Sequence, residues 1–434
     1  MGVWEGAGLG FLALFGLMMA GLPIAFAMLA VGFGGLWLTV GERAAFGIVG
    51  QIPFTATMSY ELSVVPMFLL MGALVTRAGM SEDLYRLCHG FLGHRRGGLA
   101  MATVAACGGF AAVSGSSIAT AATMAKVAMP EMRRYAYADG LAAASIAAGG
   151  TLGILIPPSV IMVLYGIATG TDIGQLFIAG IVPGAIAILF YILAVAFVVR
   201  RNPAAGPAAE PVPMRERFAR LLGIGPVVAL FALIIGGIYF GIFTPTEAAG
   251  IGAAGALAFA LWRRSLTPAA FASSLLETVR TTASLFIVLI GALVFSNFMN
   301  LLGLPQALSD LVSDTGLSPM MVILAIFAIY LVLGCFMESL SMILLTVPVL
   351  FPVVSALGFD PVWFGIFVVM ATELSLITPP LGLNLFVIQG VIRDIRLSTI
   401  YRGIIPFVVA DVARVLLIIA LPGLVLFLPR LMGN

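Results

Sequence analysis

Apolar runs long enough to cross a lipid bilayer recur from Leu9 to Leu428, separated by short polar or Gly/Pro-rich joints. A bilayer core takes roughly 20 apolar residues per helix. By that measure the first half predicts spans at about 5–21, 24–41, 50–76, 138–168 and 174–199. The second half predicts spans at about 221–242, 246–262, 281–303, 361–391 and 403–429. Between the third and fourth spans of each half lies an apolar segment with a polar centre. The first covers about 98–130 and is interrupted at Ser114–Ser117; the second covers about 318–356 and is interrupted at Gly334–Ser339. The pattern predicts an all-α polytopic membrane protein of ten crossings, five per half, with one interrupted segment in each half.

The halves also match in detail. Pro23, Pro130, Pro157 and Pro158 each meet a proline 222 residues later: Pro245, Pro352, Pro379 and Pro380 (245−23, 352−130, 379−157, 380−158). Ser117 and Ser339 keep the same shift, as do Asp172–Ile173 and Asp394–Ile395. Gly180-Ile-Val-Pro183 recurs one residue further on as Gly403-Ile-Ile-Pro406. A duplicated unit follows, with a first repeat at 1–201, a cytoplasmic linker at 202–220 and a second repeat at 221–434. An odd number of crossings per repeat makes the second repeat inverted if each interrupted segment turns back as a re-entrant hairpin.

Charge placement tests that arrangement. With the N-terminus outside and both interrupted segments re-entrant, 18 of the 21 Lys and Arg fall on the cytoplasmic side, and only Arg43, Arg414 and Arg430 fall elsewhere. A hairpin that crossed fully would scatter the remaining basic loops to both sides. Composition excludes the soluble classes: 62% of the 434 residues are apolar and 9% charged, against about 45–50% and about 25% in soluble domains. No cleavable signal peptide is evident. Cys88, Cys107 and Cys335 are scattered without metal spacing, so no transition-metal site is expected. No basic tract interleaved with aromatics suggests nucleic acid. No hydrolase or metallopeptidase motif lies in the spans, so an enzyme is not expected.

Unpaired backbone groups cannot face lipid, so interrupted helices at membrane depth must line a protein-enclosed polar site. Matched Gly/Pro breaks in two inverted halves point to a transporter's substrate and ion sites. There are four such breaks: the two hairpin tips and two broken crossings, at 153–158 and 376–384. Pro157 and Pro158 delete two backbone donors, freeing carbonyls near Gly153 to Ile156 as hard oxygen ligands for an alkali cation. The half-helix that follows turns its N-terminus, the positive end of its dipole, toward the break. A carboxylate substrate can sit there with help from Ser116 and Ser117. The second half offers Thr378 and nearby carbonyls for a cation, and Asn384 and Ser339 for substrate.

Bland readings compete with these. A lone Pro-Pro is ordinarily a kink, and the Ser114–Ser117 tip can be a small-residue packing seam; duplication at matched positions favours a site. Acids at membrane depth are functional by default. Glu338, at a hairpin tip, leads as a group for cation coupling or substrate gating, and Glu373 is second. Glu247, after Thr-Pro-Thr, suits helix capping. Glu61 and Asp411 serve structure as readily as function, and His89 and His94 sit in a basic loop.

The phrases SGSSIATAATMAKVAMPEM, GGTLGILIPPSVIMVLYG, LFIAGIVPG, FTPTEAAG and ITPPLGLNLFVIQG resemble the large-subunit signatures of tripartite ATP-independent periplasmic (TRAP) transporters, over essentially the whole chain. The resemblance implies a bacterial inner-membrane protein that works by an elevator motion and couples transport to sodium. It also implies a periplasmic substrate-binding protein and a small four-helix membrane subunit, the latter expected as a separate polypeptide. By the family's pattern, one sodium site uses Ser114 at the first tip with carbonyls near Gly153, Ile156 and Pro158. The other uses Gly334 and Thr378. Sodium serves as coupling ion and no cofactor is implied. One departure stands out, because the second hairpin commonly carries Asp where this chain has Glu338. The expected function is Na⁺-driven uptake of a small organic acid anion: a C4-dicarboxylate, keto acid, sugar acid or sialic acid. The alternatives are an autonomous Na⁺- or H⁺-coupled carrier or antiporter without a binding protein, and, from another class, a channel.

Overall fold

The structure is a computed structural model that describes residues 2–432; Met1, Gly433 and Asn434, at the outer ends of the two expected repeats, lie outside it. Among the described residues there are helices and no strands. The first half runs α1 (Val3–Met19), α2 (Ile24–Val40), α3 (Glu42–Thr57), α4 (Val64–Arg77), α5 (Met80–Leu92), α6 (Gly98–Ser114), α7 (Ser117–Arg134), α8 (Asp139–Thr151), α9 (Val160–Thr169) and α10 (Ile173–Arg201). The second runs α11 (Met214–Gly223), α12 (Gly225–Tyr239), α13 (Pro245–Trp262), α14 (Pro268–Leu301), α15 (Leu304–Thr315) and α16 (Pro319–Leu333). It ends with α17 (Ser339–Ala356), α18 (Pro361–Ser375), α19 (Leu383–Val391), α20 (Leu397–Ala420) and α21 (Gly423–Met432).

Local chemistry sets many of these starts. Ser116, Ser159, Asp172, Thr244, Thr267, Ser318 and Asp360 each accept a backbone N–H at a helix N-terminus, satisfying donors that have no partner within the helix. Glu247 completes a capping box by accepting from the Thr244 backbone at 2.8 Å, the role its position suggested.

Both interrupted segments are helix pairs broken where the sequence breaks: α6 and α7 around Gly115–Ser116, α16 and α17 around Gly334–Glu338. Both broken crossings are present as α8 with α9 and α18 with α19. The bounds of α7 and α17 differ by 222 at each end (339−117, 356−134).

Three expected spans are corrected. The crossing placed at 50–76 is two helices, α3 and α4, bent by 57°. Pro66 cannot donate to the turn before it, so the helix restarts with Pro66 in its first turn, where a donor is not needed. The crossing placed at 281–303 starts earlier, at Pro268, because Thr267 caps it by accepting from Ala270 N at 3.1 Å and the helix continues past the apolar stretch. The crossing placed at 403–429 breaks before Pro422 into α20 and α21.

Among the described residues four helices are long and apolar enough to cross a membrane, namely α10, α14, α17 and α20, or up to six spans if each bent pair counts as one. Many of the ten expected crossings are thus built from shorter or broken pieces. Their burial differs. The apolar stretch of α17 is 67% buried, against 33% for α10 and 39% for α20, so α17 packs mainly on protein. From Leu141 to Thr151 and from Val362 to Ser375 every residue of α8 and α18 is buried; helices apolar on all sides belong to a core. α8 packs on α6, α7 and α20, while α14 lies along α2 and α13 along α4.

The expected linker is partly ordered. A 3₁₀ turn covers Pro203–Ala205. Ala138 N donates to Ala205 O at 3.0 Å, Gly97 N to Gly206 O at 2.8 Å and Ala209 N to Gly93 O at 2.9 Å. Beyond it α11 lies on α5, with Arg220 donating to Arg86 O at 2.9 Å.

Candidate functional site

At the first tip, Ser116 caps α7 by accepting from Ala119 N at 3.3 Å. Thr120 Oγ1 donates to Ser116 O at 2.8 Å and lies 2.7 Å from Ser114 Oγ. Gly115 has φ +62°, the left-handed conformation that favours glycine. A Cβ on Gly115 would lie 3.0 Å from Pro158 O, and one on Gly153 would overlap Ser116 O and sit 2.8 Å from Thr120 Oγ1. The tip and the first break therefore touch backbone to backbone. That contact joins Ser114, Gly153 and Pro158, three of the expected cation residues. The Ile156 side chain packs instead against Gly184 of α10.

Inside the first break, Ser159 Oγ donates to Ile154 O at 2.6 Å and accepts from Met162 N at 3.4 Å. At the second break Asn384 N donates to Leu376 O at 3.1 Å, and Thr378 Oγ1 donates to Leu374 O at 2.7 Å, leaving the Thr378 oxygen lone pairs available. Gly334 lies against the Ser375 side chain, where a Cβ would overlap it. Both Pro-Pro bonds, 157–158 and 379–380, are cis.

Between the two tips lies a cavity of about 320 Å³, the size of a small-molecule site. Its polar wall is Ser116, Ser117, Thr281, Ser284, Glu338 and Ser339; the rest is aliphatic apart from Gly115. Four of the expected substrate residues are thus brought together from segments more than 200 positions apart in sequence (338−117). Asn384 is not among the lining residues: it is fully buried and its amide donates to Ala147 O of α8 at 3.3 Å. No Lys or Arg lines the cavity. Four helix N-termini reach it instead, those of α7, α9, α17 and α19, whose first residues Ser117, Val160, Ser339 and Leu383 all line it and whose dipoles favour an anion. Glu338 is the one ionisable group in the wall, and Ser341 Oγ donates to its Oε1 at 3.3 Å.

Sequence reasoning missed Thr120, Ser159 and the α14 contribution. The signal for α14 was present: Ser274, Thr278, Thr281 and Ser284 recur at helical spacing in a segment that also carries Glu277 and Arg280. Ser159 directly follows the Pro-Pro pair, where a capping serine is expected.

A family model described as the tripartite ATP-independent periplasmic transporter, DctM component, matches residues 11–424. The chain belongs to this family. The resemblance seen in the sequence is borne out. The chain is 38% identical over 381 residues to the C4-dicarboxylate TRAP transporter large permease protein DctM of Pseudomonas aeruginosa, covering 88% of each chain. It is 34% identical to the sialic acid TRAP transporter large permease protein SiaM of Vibrio cholerae, covering 96% of each. Among solved structures, the YdaH transporter of Alcanivorax borkumensis shares the fold with a TM-score of 0.66 at 15% identity, covering 89% of this chain and 90% of that one. This TRAP large permease is a multi-pass membrane component of a transporter. Its tripartite family implies two further components, a small membrane subunit and a periplasmic binding protein.

Proposed function

We propose that this TRAP permease carries out Na⁺-coupled uptake of a small organic acid anion delivered by a periplasmic binding protein, with the anion held between the two hairpin tips. The observation that carries the reading is the cavity itself, which is lined by both tips and approached by four helix N-termini. An anion there gains from each positive helix end without any bound cationic side chain, so it can be released again. The relatives' names, for C4-dicarboxylates and for sialic acid, support a carboxylate as the shared chemical class.

In this reading 1–201 and 221–434 are inverted repeats, joined by a cytoplasmic linker at 202–220. The N-terminus is periplasmic in the bacterial inner membrane, and the matched bounds of α7 and α17 support the duplication. One sodium ion binds behind the first tip, with Ser114 and carbonyls of Gly153, Ile156 and Pro158. A second binds near Gly334 and Thr378. Ser116, Ser117, Glu338 and Ser339 face the substrate, and Asn384 acts by holding the second break to α8. The body formed by hairpins and broken helices moves as an elevator against a scaffold containing α2 and α14.

The test is uptake of a panel of labelled organic acids into proteoliposomes holding this chain and its small subunit. Uptake is expected only with binding protein and an inward sodium gradient together. Uptake driven by a proton gradient alone would overturn the sodium coupling, and uptake without binding protein would favour an autonomous carrier.

A further inference from the structure

Three ionisable side chains are buried together away from the cavity: Glu373 on α18 and Asp411 and Arg414 on α20, each with 0% exposure. Arg414 Nη2 donates to Glu373 Oε2 at 2.7 Å. The same nitrogen lies 2.6 Å from Asp411 Oδ1, but as a charge contact without hydrogen-bond alignment, so neither Asp411 oxygen has a hydrogen-bond partner. Glu373 Oε1 is also without one. One cation therefore faces two carboxyl groups. If both were ionised, the cluster would hold an uncompensated negative charge in the interior of a membrane protein, where such charge is neutralised by a partner or by a proton.

No neighbouring element supplies the missing positive charge. α10 presents Tyr191, whose ring centre is 5.9 Å from the Arg414 guanidinium carbon and whose hydroxyl is hydrogen-bonded with Thr151 of α8; its Arg200 and Arg201 are exposed at its far end. α9 presents Tyr165, which donates to Pro361 O, and α16 presents Tyr330, bonded with Thr346. Asp139 of α8 is held by Arg133 at the opposite end of that helix. Arg430 of α21 and Arg402 of α20 are exposed, and Tyr401 donates to Pro380 O. α17 and α19 carry no titratable side chain, and Glu338, which precedes α17, belongs to the cavity.

We propose that this cluster is a proton-binding site within the permease, with one proton carried on Asp411 so that Glu373, Arg414 and Asp411 together are neutral. Glu373 receives the aligned hydrogen bond from Arg414, whereas the close contact of Arg414 with Asp411 lacks that alignment, which makes Asp411 the place for the proton. The step is addition of a proton from water to one Asp411 carboxylate oxygen, with no other bond changed. Because α18 carries the second break and α20 packs on α8, the proton fixes the charge at the joint between these buried helices. The proposal does not depend on sodium coupling, and its test reads protonation and stability rather than transport.

Purified protein in detergent is examined by infrared spectroscopy and by thermal unfolding from about pH 6 to about pH 9. The wild type is expected to show a protonated-carboxyl stretching band at neutral pH that Asp411→Asn removes; Glu373→Gln removes it as well, because Asp411 then ionises as the single carboxylate partner of Arg414. The wild-type Tm is expected to fall by several degrees as pH rises and the proton is lost, while Asp411→Asn, which copies the neutral shape, unfolds at a pH-independent temperature. A band that survives both substitutions, or an Asp411→Asn Tm that follows the wild-type pH slope, would overturn the assignment. Should Asp411→Asn fail to fold, Glu373→Gln decides in its place: a neutral-pH band that persists in it unchanged refutes the site, and loss of the band together with a flattened pH dependence of Tm supports it.

Discussion

Gly153 shows how little room the site leaves a single residue. Its backbone lies so close to Ser116 O that one added methyl group must push the first tip away from the first break. We expect Gly153→Ala to lower substrate uptake at least about tenfold, a cost of about 1.4 kcal/mol at the transport barrier. Gly16→Ala, where a Cβ meets nothing within 4 Å, should leave uptake unchanged; equal effects of the two would remove the close approach as an explanation. Ser159 has a different task, capping α9 and holding the freed Ile154 carbonyl. Ser159→Ala should cost about 1 kcal/mol of stability, read as a lowered Tm. Some of this was legible in sequence. Ser116, Ser117, Glu338 and Ser339 stood out as polar groups inside apolar segments, and the cavity gathers all four. Asn384 lies apart from these four because nearness to a break does not say which way a side chain faces, and the first turn after Gly382 directs it to α8. Arg414 was left without a role. Its spacing of three from Asp411 was visible, but its other partner, Glu373, lies 41 positions away and only the packing of α18 on α20 brings them together.

Elements are held to one another by ties at their ends as well as by apolar faces. Arg133, at the end of α7, bridges Asp139 at the start of α8 at 3.0 Å and Asp394, just before α20, at 2.8 Å. The Arg133 hydrogen bond holds the Asp394 carboxyl below the usual carboxylate range. A group lowered in this way contributes its tie above its ordinary unfolded value and loses it as pH falls through the depressed folded value. Hydrogen exchange in residues 392–396 should therefore rise in Asp394→Asn at neutral pH, and the wild type should approach the variant only in strong acid. Exchange indifferent to the substitution would mean that the loop is held by its backbone alone. Helix existence was legible here because apolar runs and prolines mark it. The break between α3 and α4 was not, since a proline three positions into a helix looks the same in sequence as one in its middle. Helix length failed at α14 for a related reason: an apolar window sees the membrane-facing part of a helix and not its polar continuation.

At the scale of the molecule, the charge asymmetry that oriented the chain makes a claim about sidedness. In a background lacking Cys88, Cys107 and Cys335, a membrane-impermeant maleimide should label Glu5→Cys in intact spheroplasts and Arg215→Cys only after permeabilisation. The reverse pattern would invert the topology. Family and all-helical class were legible from motifs spread over the whole chain, whereas the arrangement of interior against flank was not. Only packing separates α8 and α18, buried on every side, from α10, which leaves Leu189, Leu193 and Phe197 exposed along one face. The segment joining the two halves carries a further, practical consequence. Its residues from Ala205 to Ala209 are stitched by main-chain hydrogen bonds to both ends of the α6–α7 pair, whereas Glu210 to Pro213 make no such backbone tie to that pair. An epitope or fluorescent insertion should be tolerated after Glu210 and disruptive after Gly206, so a splice point four residues off would decide between a useful reporter and a jammed machine.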